Sequence, residues 1–336
     1  VKSLKEFIDF GVLPIRVSSR RSLRPHLSLI FRAESKITVG IDTTEGRTPI
    51  NDFLLITHAH RDHYGHRVMK FEHTIASRET AKALEIISRE SFRGRCFEIG
   101  DEITENGWKI RTYETFHTPG STAFYWKNDI GTRILVTGDV KEFKELPKCD
   151  LLITEATYGD PQDPSCYFED DVEGFLNVSD ESPAFGAYPF GKAQRAVRLL
   201  RESGFSDIIQ MDGLSFSLTR AIIGDEEIEL LKDDESLKIV SPKELKRVRN
   251  RKKFVLSAQK FYRSTITLSD HADFRNLLLM IERCDPELVI LYHGGRRAER
   301  MRDYLRNSGY FAISLKDVNT IIGDPNDLVE GISRDI

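Results

Sequence analysis

Residues 53–63 read Phe53-Leu54-Leu55-Ile56-Thr57-His58-Ala59-His60-Arg61-Asp62-His63. Four apolar residues in a row suit a short strand buried on both faces. The six residues 58–63 then crowd together three imidazoles and one carboxylate. Imidazole nitrogen and carboxylate oxygen are donors that a borderline divalent ion such as zinc accepts, and a loop leaving a buried strand is rigid enough to aim them. His58 and His60 alternate with Ala59, so extended backbone points both to one side, whereas Asp62 and His63 follow a turn and can face a second ion. The stretch predicts a two-metal site. A lone histidine in a loop is usually a satisfied polar residue, but this density of ligand-type groups is not explained that way.

Working outward, 336 residues suit one large or two medium domains, and 40% hydrophobic with 30% charged residues is an ordinary globular composition. A net charge of −4 does not announce a nucleic-acid binder, although it says nothing of local patches. Cys96, Cys149, Cys166 and Cys284 form no CxxC pair, which argues against a zinc knuckle or a disulfide framework. No stretch approaches the ~18 apolar residues of a membrane span, and no charged-then-apolar leader opens the sequence. The expectation is a reduced, cytoplasmic protein with no membrane partner.

The first third reads as short strands at Val12 to Val17, Leu27 to Arg32, Ile37 to Ile41 and Phe53 to Thr57, with Asp42 closing the third. Arg78 to Ser91 has helical periodicity. Trp108 to Thr115, Ala123 to Trp126, Arg133 to Thr137 and Leu151 to Thr154 read as further strands, and the loops leaving them hold His117, Asp139 and Glu155. Ligand-type residues thus recur at strand ends, where a rigid sheet can carry chemistry on its loops.

From about Gly159 to Phe254 the character changes. An acidic, turn-rich stretch, Glu169 to Glu181, leads into what reads as a small inserted α/β unit: strand Pro183 to Phe190, helix Gly191 to Ser203, strand Ile208 to Met211, short helix Leu218 to Ile223, strand Leu237 to Val240. The basic run from Lys243 to Lys253 suits either a solvated helix face or a phosphate-binding rim. The earlier layout then resumes from Phe254, with His271 in Ser269-Asp270-His271-Ala272-Asp273 and His293 in Tyr292-His293-Gly294-Gly295 again at strand ends.

HAHRDH, His117 in HTPGS and Asp139 in TGD, with Asp42 at the first acidic motif, resemble the signature of the metallo-β-lactamase fold. Glu155 in ITEATYGDP, His271 in LSDHADF and His293 in YHGG resemble the three additional motifs of the β-CASP nucleases. The resemblance implies a four-layer αββα sandwich formed by 1–159 and 255–336, with a β-CASP domain inserted at 160–254. It also implies that His58, His60 and His117 hold one zinc, that Asp62, His63 and His293 hold another, and that Asp139 bridges them. Manganese is the expected substitute for zinc. Two such ions generate a nucleophile and clamp a phosphate oxygen. The family pattern makes His271 the proton donor, oriented by Glu155, and Asp42 a support for the ligand loop, with Asp62 counted among the catalytic residues as well.

Gly191-Lys192-Ala193-Gln194-Arg195 is similar to the GKAQR motif of the ligase-associated DNA exonucleases, and His293 agrees with the RNA-processing members and with that group alike. No KH or RRM pattern precedes the core. Lys192, Gln194 and Arg195, with Ser121 of HTPGS, are the expected nucleic-acid contacts, and Arg16, Arg20, Arg21 and Arg24 are expected to line the approach of a single strand. The expected activity is exonucleolytic hydrolysis of single-stranded nucleic acid, DNA favoured over RNA. A homodimer and a repair or RNA-processing partner are the expected protein partners. The alternatives are an RNA-processing nuclease, a small-molecule hydrolase of the same fold and an inactive scaffold.

Overall fold

Period-two alternation of apolar side chains governs this chain, because successive residues of a strand face opposite sides of its sheet. The computed structural model describes residues 2–16, 26–31, 36–43, 51–259 and 264–318. The first sheet takes β1 (Val12–Ile15), β2 (Leu27–Phe31), β3 (Ile37–Ile41), β4 (Phe53–Leu55), β5 (Thr74–Ser77) and β6 (Arg95–Phe97), side by side in that order. A second sheet begins with β7 (Glu102–Glu105), β8 (Trp108–Glu114), β9 (Thr122–Lys127), β10 (Arg133–Gly138) and β11 (Leu151–Glu155). The chain then leaves to build a third sheet from β12 (Ala184–Gly186), β13 (Ile209–Met211), β14 (Ile228–Leu230), β15 (Leu237–Val240), β16 (Lys253–Leu256) and β17 (Thr265–Ile266). It returns as β18 (Leu288–His293) and β19 (Phe311–Ser314), giving the second sheet the order β19-β18-β11-β10-β9-β8-β7. The protein is a mixed α/β structure with three sheets, the third entirely parallel in the order β14-β13-β15-β12-β16-β17.

The helices are α1 (Lys2–Asp9), α2 (Arg78–Ser88), α3 (Val172–Ser179), α4 (Lys192–Glu202), α5 (Gly213–Ile222), α6 (Pro242–Leu245), α7 (Phe274–Cys284) and α8 (Arg296–Asn307). Alternation decides what each sheet buries. Leu27, Leu29 and Phe31 of β2 meet Phe124 and Trp126 of β9 and Ile134 and Val136 of β10 in one core between the first two sheets. The residues of opposite parity, Leu135, Leu152 and Val289, pack instead under Leu277 and Met280 of α7 and Met301 and Leu305 of α8. On the outer face of the first sheet, Leu54 and Ile56 pack with Ala81 and Leu84 of α2, and Phe190 and Leu218 of the inserted unit join them. Each such side chain contributes roughly 1.5–3 kcal/mol on burial. Among the described residues no helix is long and apolar enough to cross a membrane.

Three local readings change. The acidic stretch Glu169 to Glu181 contains helix α3, because Asp171 caps it on the Gly174 N–H (2.9 Å) and Phe175 is buried in the third core. The strand expected over Pro183 to Phe190 covers only Ala184–Gly186, and the chain then turns at Pro189, which has no N–H to give a ladder, into Gly191 at φ +90. Helix α5 starts at Gly213, ahead of Leu218, because Asp212 accepts from the Leu214 and Ser215 N–H groups. The third sheet also reaches past residue 254, pairing Val255 with Thr265 and Leu256 with Ile266.

Candidate metal centre

Strand ends converge here. The loop after β4 carries His58, His60, Asp62 and His63, and it closes with a turn in which the His63 N–H donates to His60 O (2.9 Å). The Thr122 N–H donates to Thr57 O (2.9 Å), which fastens that loop to the second sheet. From the second sheet, His117 follows β8, Asp139 follows β10, Glu155 ends β11 and His293 ends β18. Register shifts between Val136 and Gly138 and between Thr154 and Glu155 re-aim the last residues of β10 and β11 towards the cluster. Gly138, at φ +66, allows the approach: a Cβ there would lie 2.5 Å from Thr57 Cβ.

His58, His60, His117 and Asp139 present donor atoms all within 4.8 Å of one another, and Asp62, His63 and His293 form a neighbouring set. The Asp139 carboxylate lies between them. Its Oδ2 is 3.5 Å from His117 Nε2, 3.5 Å from His63 Nε2 and 3.8 Å from His58 Nε2, and its Oδ1 is 2.8 Å from His293 Nδ1. Asp42 and Glu155 also fall within reach of these groups. Hydrogen bonds occupy both, however, so they are poorer ligands than their distances suggest.

The donor set fits a cation. A carbonyl oxygen only accepts, so His60 gives its Nε2–H to Phe190 O (3.1 Å) and His117 its Nδ1–H to Asp270 O (2.9 Å). Burial, first among the causes, holds both rings below their ordinary pKa, so they are neutral at pH 7. Their inward nitrogens, His60 Nδ1 and His117 Nε2, then face each other without a proton at 3.0 Å. His58 Nε2, in a ring whose pKa burial also lowers, is likewise buried with no hydrogen-bond partner. Bare imidazole nitrogens converging on a carboxylate could hold a metal ion. For His63 and His293, burial lowers the pKa but Asp139 outweighs it, raising His63 to about 9 and His293 well above its ordinary value. A cation beside Asp139 would take over the neutralising task of those two protons.

Asp42 organises the ligand loop from behind. Its Oδ1 accepts the Thr57 N–H (2.8 Å), and its Oδ2 accepts from Thr57 Oγ1 (2.6 Å), His63 Nδ1 (2.8 Å) and Tyr292 OH (2.7 Å). Since Thr57 spends its hydroxyl proton on Asp42, it must accept the Nδ1–H of His58 (3.0 Å), which turns His58 Nε2 inward. Thr57 and Tyr292 escaped the sequence reading. A threonine before the motif and a tyrosine inside a buried strand look like packing until Asp42 is placed beside them.

His271 stands apart from the ligand sets. Its Nδ1–H donates to Glu155 (2.9 Å to Oε2, 3.0 Å to Oε1), while Glu155 Oε1 also accepts the Val140 N–H (2.7 Å). Burial pushes the His271 pKa down, and the Glu155 carboxylate more than compensates, so the net shift is upward. The ring lines a cavity of about 500 Å³ that also meets His60, Asp62, Asp139 and His293, with Phe190 and Leu256 on its apolar walls. Tyr188, 64% exposed, stands among the lining residues.

The side chains expected to contact nucleic acid all have partners within the protein. Gln194 is wholly buried, accepting the Gly191 N–H (2.7 Å) and donating to Pro189 O and Thr219 Oγ1 (both 2.9 Å). Ser121 Oγ accepts the N–H groups of His117 (3.0 Å) and Thr118 (3.2 Å), so it shapes the ligand loop. Lys192 donates to Leu268 O (3.0 Å) and pairs with Asp270, while Arg195 donates to Ser269 O (2.6 Å) and to Asp170 (2.6 Å). All four side chains serve internal bonds. Arg16 is buried, with Nη1 3.4 Å from Leu315 O, and Arg20, Arg21 and Arg24 lie outside the described residues. In the basic run, Arg247 pairs with Glu244 (2.9 Å), Lys252 pairs with Glu181, and Arg251 donates to the carbonyls of Ser182, Asp234 and Glu235.

No family model matches the chain. No curated protein matches it either. Among solved structures it is similar to the crystal structure of a protein of unknown function from Enterococcus faecalis V583, with a TM-score of 0.62 and 11% sequence identity over 93% of this chain and 97% of that one. At that identity the likeness shows a shared fold and nothing about chemistry.

Proposed function

We propose that this chain is a two-zinc nuclease of the metallo-β-lactamase fold, in its β-CASP branch, which hydrolyses phosphodiester bonds from an end of single-stranded nucleic acid, DNA favoured over RNA. The observation that carries the reading is the pair of donor sets meeting at Asp139, with the His271–Glu155 pair beside them. Two facing sheets with helices outside, and a parallel-sheet unit inserted between β11 and β18, are what that family leads one to expect and support the assignment.

His58, His60 and His117 would hold one ion, and Asp62, His63 and His293 the other, with Asp139 shared. When bound, such a pair supplies a nucleophile near neutral pH and neutralises the charge that builds on the phosphate oxygens. The chain's own residues do the rest. Asp42 and Thr57 fix the ring orientations of His58 and His63. His271, with Nδ1–H tied to Glu155, gives the Nε2 proton to the departing alkoxide, and the carboxylate stabilises the charged ring beforehand. The apolar walls displace water from the reacting group and strengthen every charge interaction inside. A cavity of about 500 Å³ beside the cluster supports a single strand end as substrate, and the exposed ring of Tyr188 offers a stacking surface for an unpaired base.

Those apolar walls also favour a second reading, a hydrolase of a small ester or lactone, because Lys192, a cation of the cavity lining, is already paired with Asp270. End-labelled DNA and RNA of one sequence, tested beside thioester and lactone substrates with and without chelator, separate the two. The expected outcome is progressive shortening of the single strand, abolished by chelator. Turnover of the small esters with no cleavage of either nucleic acid would overturn the nuclease reading.

A further inference from the structure

The segment Leu268–Ala272 carries His271, and side chains from outside the segment hold its backbone. Lys192 donates to Leu268 O (3.0 Å), and Arg195 Nη1 donates to Ser269 O (2.6 Å). Asp170 Oδ1 accepts the Ser269 N–H (2.8 Å), while Asp170 Oδ2 accepts from Arg195 Nη2 (2.6 Å) and Lys141 Nζ (2.7 Å). One residue further on, Asp270 O accepts the outward N–H of His117, and the His271 N–H donates to Ser269 Oγ (3.2 Å). Asp170, Lys192 and Arg195 belong to the inserted unit, whereas Lys141 lies two residues beyond Asp139.

We propose that Asp170, with Arg195 and Lys141, is a positioning clamp by which the inserted unit sets the proton donor His271. The chemistry of the clamp rests on the nuclease reading above, but its geometry does not. The side chain of Asp170 is only 12% exposed and joins two cations to one backbone amide. Removing it leaves Lys141 and Arg195 side by side without their shared counter-charge and leaves the Ser269 N–H without its acceptor. The segment must then shift, and a displacement on the order of 1 Å at a reacting group costs about 10²-fold in rate.

The test compares Asp170→Ala and Asp170→Asn with Asp225→Ala, which removes an ion pair confined to the inserted unit (Arg201 Nε to Asp225 Oδ2, 2.8 Å). Three quantities are read in zinc-saturated protein: amide hydrogen exchange over 268–272, zinc content, and kcat on single-stranded DNA against bis(4-nitrophenyl) phosphate, whose leaving group needs no proton. For Asp170→Ala the expected result is exchange about tenfold faster in that segment, retained zinc, and kcat about 10²-fold lower on DNA with only a few-fold loss on the nitrophenyl diester. Asp170→Asn, which keeps an acceptor for Ser269, should fall between, and it carries the same comparison if the alanine variant does not fold. Asp225→Ala should move neither the exchange nor the substrate ratio. Identical behaviour of the Asp170 variants and Asp225→Ala overturns the clamp. A wild-type protein that cleaves neither substrate refutes the nuclease reading instead, and segment exchange alone then upholds or overturns the clamp.

Discussion

Asp42 is held at φ +45, a conformation costing a residue other than glycine about 1–3 kcal/mol, so its surroundings must over-determine it. They do so with four hydrogen bonds. Asp42→Ala strips buried acceptors from Thr57, His63 and Tyr292 at once, and should lower stability by about 3–5 kcal/mol. Asp42→Asn keeps one acceptor oxygen and a residue type that tolerates the left-handed region, so it should lose clearly less. Urea denaturation compares them, and equal midpoints for the two variants would remove Asp42 from its organising role. His271→Ala separates proton delivery from metal holding. Zinc content should stay level while the rate on DNA falls by several orders of magnitude and the rate on a nitrophenyl diester is largely spared. Loss of one zinc equivalent on this substitution would make His271 a ligand.

At the ends of β10 and β11 remote from the metal cluster, Asp150 accepts the Arg133 N–H (2.7 Å) and the Arg133 Nε–H (3.0 Å). Partial burial works to raise its carboxyl, and Arg133 outweighs that and lowers it. A carboxylate whose folded pKa lies below its unfolded one stabilises the fold above the ordinary value of 3.8 and loses that contribution as pH falls through the folded value. Asp150→Asn should therefore cost about 1 kcal/mol at pH 7, a modest figure because the Arg133 side chain is 39% exposed, and nothing below both pKa values. Denaturation at pH 7 and near pH 3 reads the difference, and a gap unchanged between them would show that the ion pair does not contribute. Strands such as Leu237–Val240 and Ile37–Ile41 were legible in the sequence, since their apolar content and bounding turns are local properties. Helix α3 was not, because its acidic, glycine-bearing surface hides Phe175, which only the third core explains. The ligand cluster was legible for the same local reason, through residue type at strand ends. The internal partners of Lys192 and Arg195 were not legible, because a sequence shows a cation but not where it points, and both point at the backbone of 268–269.

At the scale of the whole molecule, the candidate ligands come from the first two sheets, His58, His60, Asp62 and His63 from the first and His117, Asp139 and His293 from the second. An ion that binds only this assembled arrangement should stabilise the fold by about 2.7 kcal/mol at a hundred times its Kd, and so raise the melting temperature in a concentration-dependent way. Calorimetry across a zinc series should show that rise in the wild type. Asp139→Asn, lacking the shared charge, should show much less of it and should lose turnover more completely than any single histidine variant. A melting point indifferent to zinc would leave the cluster without a metal. The hydrogen bond from Tyr292 to Asp42 joins positions 250 residues apart, with the inserted unit between them. During synthesis the histidine motif therefore emerges long before the strand that completes its surroundings, and the early half-chain presents loose imidazoles to any free ion. Because closure over so long a loop comes late, metal capture ahead of it could bind the wrong partners, and the order of events on the ribosome becomes part of making a working site.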